Sequence, residues 1–133
     1  MSDNGGKSLA GKRLLVVDDQ FVNRVIVKEM LKKYEVDITE VGDGEAAVQA
    51  VEDNDPFDVI LMDVMMPDVD GYEATRRIRA ISDMAKGGVP IIAMTSDVSD
   101  ADIAAANEAG MTDHVSKPLE SDTLVERLYS YIS

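Results

Sequence analysis

The regular alternation of short apolar runs with longer amphipathic runs constrains the fold of this chain more than any other feature. Five short runs are predicted to be strands: residues 14–17, 36–40, 59–62, 89–93 and 114–115. The first, third and fourth are nearly all apolar, which is typical of parallel strands that are covered on both faces. The second and fifth are weaker, and we expect them nearer the edges of the sheet.

Apolar residues between these runs recur at a spacing of three and four, which predicts amphipathic helices. Four groups show this spacing: Val22, Ile26 and Met30; Ala47, Ala50 and Val51; Ala74, Ile78 and Ile81; Leu124, Leu128 and Tyr131. A fifth, Ala-rich helix is indicated by Ser99 and Asp102, which resemble a capping box, and by Gly110 at its end. The alternation predicts an α/β fold of the (βα)₅ type, a parallel sheet with helices on both faces.

Length and charge limit the organisation and the partners of the chain. Its 133 residues predict one domain, with residues 1–11 as a flexible lead-in and residues 12–133 as the folded part. Acidic residues outnumber basic ones 26 to 13, so we expect neither nucleic acid nor an anionic membrane as a partner. The first residues lack the apolar stretch of a signal peptide and the chain has no cysteine, which favours a cytoplasmic protein.

Polar and charged residues follow the predicted strands at the points where the strands end. Asp18 and Asp19 follow the first strand, Asp63 the third, Thr95 the fourth, and Lys117 follows the fifth closely. The carboxyl ends of parallel strands with right-handed connections lie on one edge of the sheet, where ligands of open α/β sheets bind. We therefore predict that these side chains converge.

Three carboxylates and one ammonium group sum to a charge of −2. Like charges at close range raise a pKa or require a cation, and Mg²⁺ is a hard ion that takes carboxylate, water and phosphate oxygens. Carboxylates also act as nucleophiles in phosphoryl transfer, which predicts Asp63 as the acceptor, with Lys117 and Thr95 contacting phosphoryl oxygens. Each residue alone has a plainer interpretation, such as an N-cap for Asp18 or Asp19. Their joint placement favours a functional site.

Four segments carry a family resemblance: residues 16–19, 62–71, 93–96 and 116–119. In order and spacing they resemble the receiver domain of two-component response regulators, over residues 12–132. The resemblance implies a flavodoxin-like fold with strand order 2-1-3-4-5. Other stretches look like receivers of hybrid histidine kinases and phosphorelays more than receivers fused to DNA-binding domains.

The resemblance also implies a role for each site residue. Asp63 would be phosphorylated; Asp19, Asp63 and the backbone carbonyl of Met65 would bind Mg²⁺, with Asp18 holding a coordinated water; and Thr95 and Lys117 would contact the phosphoryl group. The Lys117–Pro118 bond is expected to be cis. The donor would be the phosphohistidine of a histidine kinase or of a phosphotransfer protein, and the fourth helix, fifth strand and fifth helix would form the output face. The chain would be a signalling phosphoacceptor that catalyses its own phosphorylation and dephosphorylation.

His114 stands where this family usually carries Tyr or Phe, the aromatic residue that turns inward when Thr95 moves toward the phosphoryl group. A polar ring costs more to bury than Phe, so we hypothesise a less complete rotation and a pH-sensitive switch. The lifetime of the acyl phosphate is expected to depend on Met65 and Asp97, which would lie near the attacking water.

Two alternative functions remain at this point. An aspartyl-nucleophile phosphatase of the haloacid dehalogenase type would carry a second Asp two residues after the nucleophile, where this chain has Met65. A degenerate receiver would dock partners without phosphorylation, although all five site residues are present. A dinucleotide-binding fold is weaker, because residues 42–44 lack the G-x-G-x-x-G spacing.

Overall fold

A computed structural model describes residues 8–96 and 99–132 of the chain. It contains a five-stranded parallel sheet with helices on both faces, which confirms the predicted α/β architecture. Its strands are β1 (Arg13–Val17), β2 (Asp37–Val41), β3 (Val59–Asp63), β4 (Ile91–Thr95) and β5 (Asp113–Ser116). All pairings are parallel and the order is β2-β1-β3-β4-β5, as the resemblance implied. The two weakly apolar strands, β2 and β5, lie at the edges of the sheet, where each pairs with a single neighbouring strand.

Four helices connect the strands and a fifth follows the last strand; they are α1 (Phe21–Leu31), α2 (Gly44–Asp53), α3 (Gly71–Arg79), α4 (Asp100–Ala109) and α5 (Ser121–Tyr131). Two shorter elements were not predicted, a 3₁₀ turn at Lys32–Tyr34 and a single helical turn at Met84–Gly87. The second follows Asp83, whose carboxylate accepts the Ala85 N–H at 3.0 Å. Ile81, which the periodicity assigned to the third helix, lies beyond its end and packs against the core.

The predicted start of β4 at residue 89 is wrong, since the strand begins at Ile91. Pro90 has no N–H to give to a strand ladder, which keeps it out of the regular pairing. Its carbonyl still accepts the Ile60 N–H at 2.9 Å, just before the strand starts. Apolar character alone does not distinguish Val89, which is buried, from a residue of the strand itself.

Alternate residues of the strands point into two separate cores, one on each face of the sheet. One core joins the sheet to α1 and α5 and includes Leu14, Val16, Val27, Leu31, Leu61, Ile92, Leu124 and Leu128. The other joins it to α2, α3 and α4 and includes Leu15, Val17, Ala47, Val51, Ile60, Ala74, Ile78 and Ala106. Burying one such aliphatic side chain contributes about 1.5–3 kcal/mol, so the two layers together stabilise the sheet that carries the site.

The predicted limits of α4 are confirmed. The Ser99 hydroxyl accepts the Asp102 N–H at 3.3 Å and donates to the Asp102 carboxylate at 2.8 Å. At the other end, Gly110 has a φ of 105°, a left-handed conformation that glycine adopts without steric cost.

A single arginine ties several segments together near that end of α4. The Arg79 guanidinium donates to the carbonyl oxygens of Gly110 at 2.9 Å, Gly87 at 2.7 Å and Val89 at 2.6 Å. Burial lowers the pKa of Arg79 from its usual value. These bonds fix the C-terminal end of α4 to α3 and to the entrance of β4.

Part of the predicted lead-in belongs to the packed body. Leu9 is buried in the core on the α1 and α5 face, and the Gly11 N–H donates to the Glu35 carbonyl at 3.0 Å. Residues 1–7 lie outside the described residues. Within the described part of the chain, none of the helices has both the length and the apolar composition needed to cross a bilayer.

Candidate functional site

Three carboxylates meet at the carboxyl edge of the sheet, beside the point where the strand order reverses. Asp18 and Asp19 follow β1, and Asp63 is the last residue of β3. One carboxylate oxygen from each lies within 4.8 Å of the other two. Asp18 is fully buried, Asp63 is 3% exposed and Asp19 is open to solvent. The predicted convergence of these acids is therefore observed, with two of the three charges largely removed from water.

Lys117 brings a cation to this group from the loop after β5. Its Nζ lies 3.0 Å from Asp63 Oδ1 and 3.4 Å from Asp18 Oδ2, and its side chain is 25% exposed. The Lys117 N–H donates to the Thr95 carbonyl at 2.8 Å, and the Lys117–Pro118 bond is cis, as expected. The ammonium group thus partly neutralises two buried carboxylates at once.

The loop after β3 holds Asp63 in place through its backbone. The Met65 N–H donates to Asp63 Oδ1 at 3.3 Å, and the Gly71 N–H donates to the Val64 carbonyl at 3.0 Å. A Cβ atom at Gly71 would collide with the Asp63 carbonyl oxygen. Glycine is therefore required there, because α3 starts directly against the end of β3.

The turn between β1 and α1 is fixed by contacts to Asp18. Its Oδ1 accepts the Gln20 N–H at 2.9 Å and lies 3.4 Å from Asn23 Nδ2, and its carbonyl accepts from Arg24 Nη1 at 2.7 Å. Gln20 is the N-cap residue of α1 and makes no side-chain cap. The plain N-cap interpretation of Asp18 is therefore wrong, since Gln20 holds that position, and the Asp18 carboxylate instead fixes the turn before α1 and faces Lys117.

The cleft above these residues has a volume of about 230 Å³. Thr95 and Met65 line it, as predicted, and the Met65 side chain is 76% exposed at its mouth. Ser96, which follows Thr95 at the end of the fourth strand, lines it as well. Sequence reasoning missed two polar lining residues, Gln20 and Asn23, although their proximity in sequence to Asp19 was a usable signal. Asp97, expected to influence acyl phosphate lifetime, lies outside the described residues.

The electrostatics of the cleft are unbalanced without a further cation. Burial raises the pKa of Asp63 from 3.8 to about 6; the Lys117 hydrogen bond opposes this shift and the Asp18 charge adds to it. Burial lowers the pKa of Lys117, but the hydrogen bond and charge of Asp63 and the charge of Asp18 outweigh it, and the net shift is upward. The lysine is thus held charged while the carboxylate resists ionisation.

A pH dependence of stability follows for the metal-free protein. The pKa of Asp63 is higher in the folded state than in the unfolded chain, so folding binds a proton that is released as pH rises. The Asp63 contribution to stability is fully present below about pH 4 and lost by about pH 7. Between about pH 4 and about pH 7, we expect the free energy of unfolding of Asp63→Asn to rise by roughly 2 kcal/mol relative to that of the parent. Urea unfolding of both proteins in EDTA measures it; a difference independent of pH would contradict the expectation.

His114 is the second residue of β5, where it pairs with Ala93, and its side chain is 35% exposed. Its Nδ1 is 3.9 Å from Asp113 Oδ1. Thr95, His114, Tyr72 and Ala106 line a small cavity of about 10 Å³ between the sheet and α4. That volume accommodates about one water molecule and no imidazole ring, so the cavity as it stands is too small for the His114 side chain.

The sequence and the fold both match known proteins. The family model described as response regulator receiver domain matches residues 14–129. A two-component response regulator of rice, Oryza sativa subsp. japonica, is 43% identical over 116 residues, covering 84% of this chain and 87% of the rice protein. Probable histidine kinase 5 of the same plant is 38% identical over 143 residues, covering 94% of this chain. The match spans only 12% of that kinase, so the chain corresponds to a small part of it.

A solved structure shows the same architecture. It is the receiver domain of a sensor histidine kinase from Pseudomonas aeruginosa, with a magnesium ion coordinated in its active site cleft. The two chains superpose with a TM-score of 0.82 and 38% identity, covering 92% of this chain and 98% of the other.

Proposed function

The chain belongs to the response regulator receiver domain family, and from that membership we propose that Asp63 accepts a phosphoryl group from a phosphohistidine. One observation carries the assignment to Asp63. Its carboxylate is nearly buried, lies 3.0 Å from an ammonium group and stands within 4.8 Å of two further carboxylates. A buried carboxylate with a neighbouring cation and a site for a hard metal ion is the arrangement that aspartyl phosphorylation requires.

The residues present fit Mg²⁺. Asp18, Asp19 and Asp63 supply the hard oxygen donors that this ion takes, and with Lys117 they leave the site at −2. We assign Asp19, Asp63 and the backbone carbonyl of Met65 as its ligands, and Asp18 as the holder of a coordinated water. The magnesium ion in the cleft of the Pseudomonas relative supports this assignment. When bound, Mg²⁺ supplies positive charge that offsets repulsion between the carboxylates and the incoming phosphoryl group.

The chain itself supplies the nucleophile and two phosphoryl contacts. An Asp63 carboxylate oxygen forms the new bond to phosphorus, the bond from phosphorus to the donor imidazole nitrogen breaks, and that nitrogen keeps the electron pair. Lys117, already 3.0 Å from Asp63, neutralises a phosphoryl oxygen, and the Thr95 hydroxyl donates a hydrogen bond to another. Transfer of this kind depends mainly on positioning and charge stabilisation. Hydrolysis of the acyl phosphate at the same site would complete the cycle of self-catalysed phosphorylation and dephosphorylation.

A histidine kinase or a histidine phosphotransfer protein is the proposed donor. Phe21, Val22 and Ile26 are exposed apolar residues on α1, and Met65 is exposed at the mouth of the cleft. Exposed apolar side chains grouped beside a reaction site are typical of a docking surface. The apolar side of α1 near Val22 and Ile26 would help hold a donor helix so that its phosphohistidine reaches Asp63.

The proposed output is a change in the α4-β5-α5 face. Movement of Thr95 toward the phosphoryl group would open space for His114, and the cavity beside them links that movement to α4. A downstream protein would bind the altered face.

We propose the cytoplasm as the location of the protein, which cell fractionation would check.

Phosphorylation of the isolated chain by acetyl phosphate tests the proposal directly. With Mg²⁺ present, we expect intact mass spectrometry to show a single phosphoryl adduct, and with EDTA we expect none, because the carboxylates then repel the donor. If the folded chain formed no adduct with acetyl phosphate, with phosphoramidate or with a phosphorylated histidine phosphotransfer protein, the proposal would be wrong. Turnover of phosphate esters would instead favour the phosphatase alternative.

A further inference from the structure

Arg24, in the first turn of α1, bridges the acidic turn to the neighbouring edge strand. Its Nη1 donates to the carbonyl oxygen of Asp18 at 2.7 Å, and its Nε donates to Glu40 Oε1 at 2.8 Å. The side chain is 17% exposed, so both bonds are largely shielded from water. Glu40 lies in β2, and its second oxygen accepts from Lys28 Nζ at 2.5 Å.

The carbonyl of Asp18 lies where the chain leaves the sheet. The Asp18 N–H still pairs with the Val41 carbonyl at 3.2 Å, in continuation of the β1–β2 ladder. Successive side chains of a strand point to opposite faces, yet Asp18 and Asp19 both present oxygens to one cleft. The backbone must therefore turn between them, and the orientation of the intervening peptide group decides where the Asp19 carboxylate lies. Arg24 holds that peptide group by its carbonyl oxygen.

We propose that Arg24 is a positioning residue for metal binding, which sets the relative placement of the Asp18 and Asp19 carboxylates by clamping the peptide between them. The inference rests on the proposed function, since it concerns the same Mg²⁺ site. Among the described residues, Arg24 contacts none of the three carboxylates of the acidic cluster, and it acts only through the backbone carbonyl of Asp18. Groups that orient metal ligands in this way commonly change metal affinity by tenfold or more when they are removed.

The chemistry of the side chain suits this role. A planar guanidinium serves two acceptors in fixed directions, whereas a lysine ammonium in the same place reaches one of them at a time. Hydrogen bonds from Lys28 and Arg24 lower the pKa of Glu40, so this carboxylate stays ionised and offsets one of the two positive charges that it contacts. The arginine can therefore stand behind the metal site without repelling the cation strongly.

A simpler role is that Arg24 merely fastens α1 to β2 through Glu40. Lys28 offers a matched control, because it binds the same Glu40 from the same helix and, within the described part of the chain, makes no hydrogen bond or ion pair with the acidic turn. Removing Lys28 loosens the tie between α1 and β2 but leaves the Asp18 carbonyl held. Removing Arg24 releases both, so the two variants separate positioning from fastening.

The test is the Mg²⁺ dissociation constant of the unphosphorylated full chain, measured by isothermal titration calorimetry. We expect Arg24→Gln to raise it about tenfold and Arg24→Lys to raise it by a smaller factor, because lysine restores only one bond. Lys28→Gln is expected to stay within about twofold of the parent, since exposed ion pairs contribute little. Urea unfolding of each variant shows that it is folded; if Arg24→Gln does not fold, Arg24→Lys decides alone.

The outcomes are distinguishable. A parent chain that binds no Mg²⁺ would overturn the metal site in the proposed function. A parent that binds Mg²⁺, with both Arg24 variants binding as tightly, would overturn the positioning role alone. Equal weakening in Lys28→Gln and Arg24→Gln would also overturn it, because the effect would then belong to the tie through Glu40. Phosphorylation by acetyl phosphate at saturating Mg²⁺ provides a second readout. Under that condition the phosphorylation rate of Arg24→Gln is expected to approach that of the parent.

Discussion

Asp63→Asn is expected to abolish the phosphoryl adduct that acetyl phosphate and Mg²⁺ produce on the parent chain. The substitution keeps the size and shape of the side chain but replaces the nucleophilic carboxylate oxygens with an amide, which does not form a stable acyl phosphate. It also removes one of the three acids that lie within 4.8 Å of one another. Intact mass spectrometry over a time course measures the effect, and we expect loss to the detection limit.

Asp68→Asn is the matched control for that experiment. Asp68 lies in the same loop after β3, is exposed and has a φ of 65°, a conformation that asparagine also tolerates. The chemical change is identical, but the side chain lies outside the acidic cluster. We expect the control to be phosphorylated like the parent. An adduct that persists in Asp63→Asn would show that another residue accepts the phosphoryl group.

Lys117→Met carries the second largest expected effect. Removing a preorganised charge that stabilises a transition state typically costs a factor of about 10²–10³ in rate, and we expect a loss of that size in phosphorylation by acetyl phosphate. Mg²⁺ binding should be retained or tightened, because the ammonium group that contacts Asp63 at 3.0 Å and Asp18 at 3.4 Å no longer competes for their oxygens. Loss of phosphorylation with intact metal binding separates a role in transfer from a role in holding the ion.

Lys32→Met serves as the control for Lys117→Met. Lys32 is exposed at the end of α1, away from the cleft, so the same change in net charge occurs without touching the acidic residues. We expect its phosphorylation rate to match that of the parent. If Lys117→Met were phosphorylated as fast as Lys32→Met, the assignment of Lys117 to phosphoryl stabilisation would be wrong.

Most of the fold and the main acids could be predicted because they depend on local chemistry. Three of the five strands are nearly all apolar runs of the right length, and the strand ends place Asp18, Asp19 and Asp63 on one edge whatever the details of packing. The order of the strands came from the family resemblance, since periodicity does not say which strands are neighbours. The predicted helix limits at Ser99 and Gly110 held because capping chemistry is local as well.

The sequence did not reveal features that depend on how far a side chain reaches in three dimensions. Arg24 is one of several basic residues, and only the folded distance of 2.7 Å to the Asp18 carbonyl distinguishes it. Asn23 lines the cleft because of the rotational phase of α1, which the periodicity fixes only roughly. Leu9 is buried because the segment before β1 folds back onto the α1 and α5 face.

The Arg79 cluster determines the geometry of any response in α4. Arg79 donates a hydrogen bond to the Gly110 carbonyl at 2.9 Å, so the C-terminal end of α4 is anchored. The N-terminal end of α4 comes shortly after Thr95 in the sequence. A helix of ten residues is about 15 Å long, and a tilt of about 5° around Gly110 would displace its first turn by about 1 Å. A displacement that started at the cleft would therefore become an angular swing of α4, largest near Ser99 and smallest near Gly110.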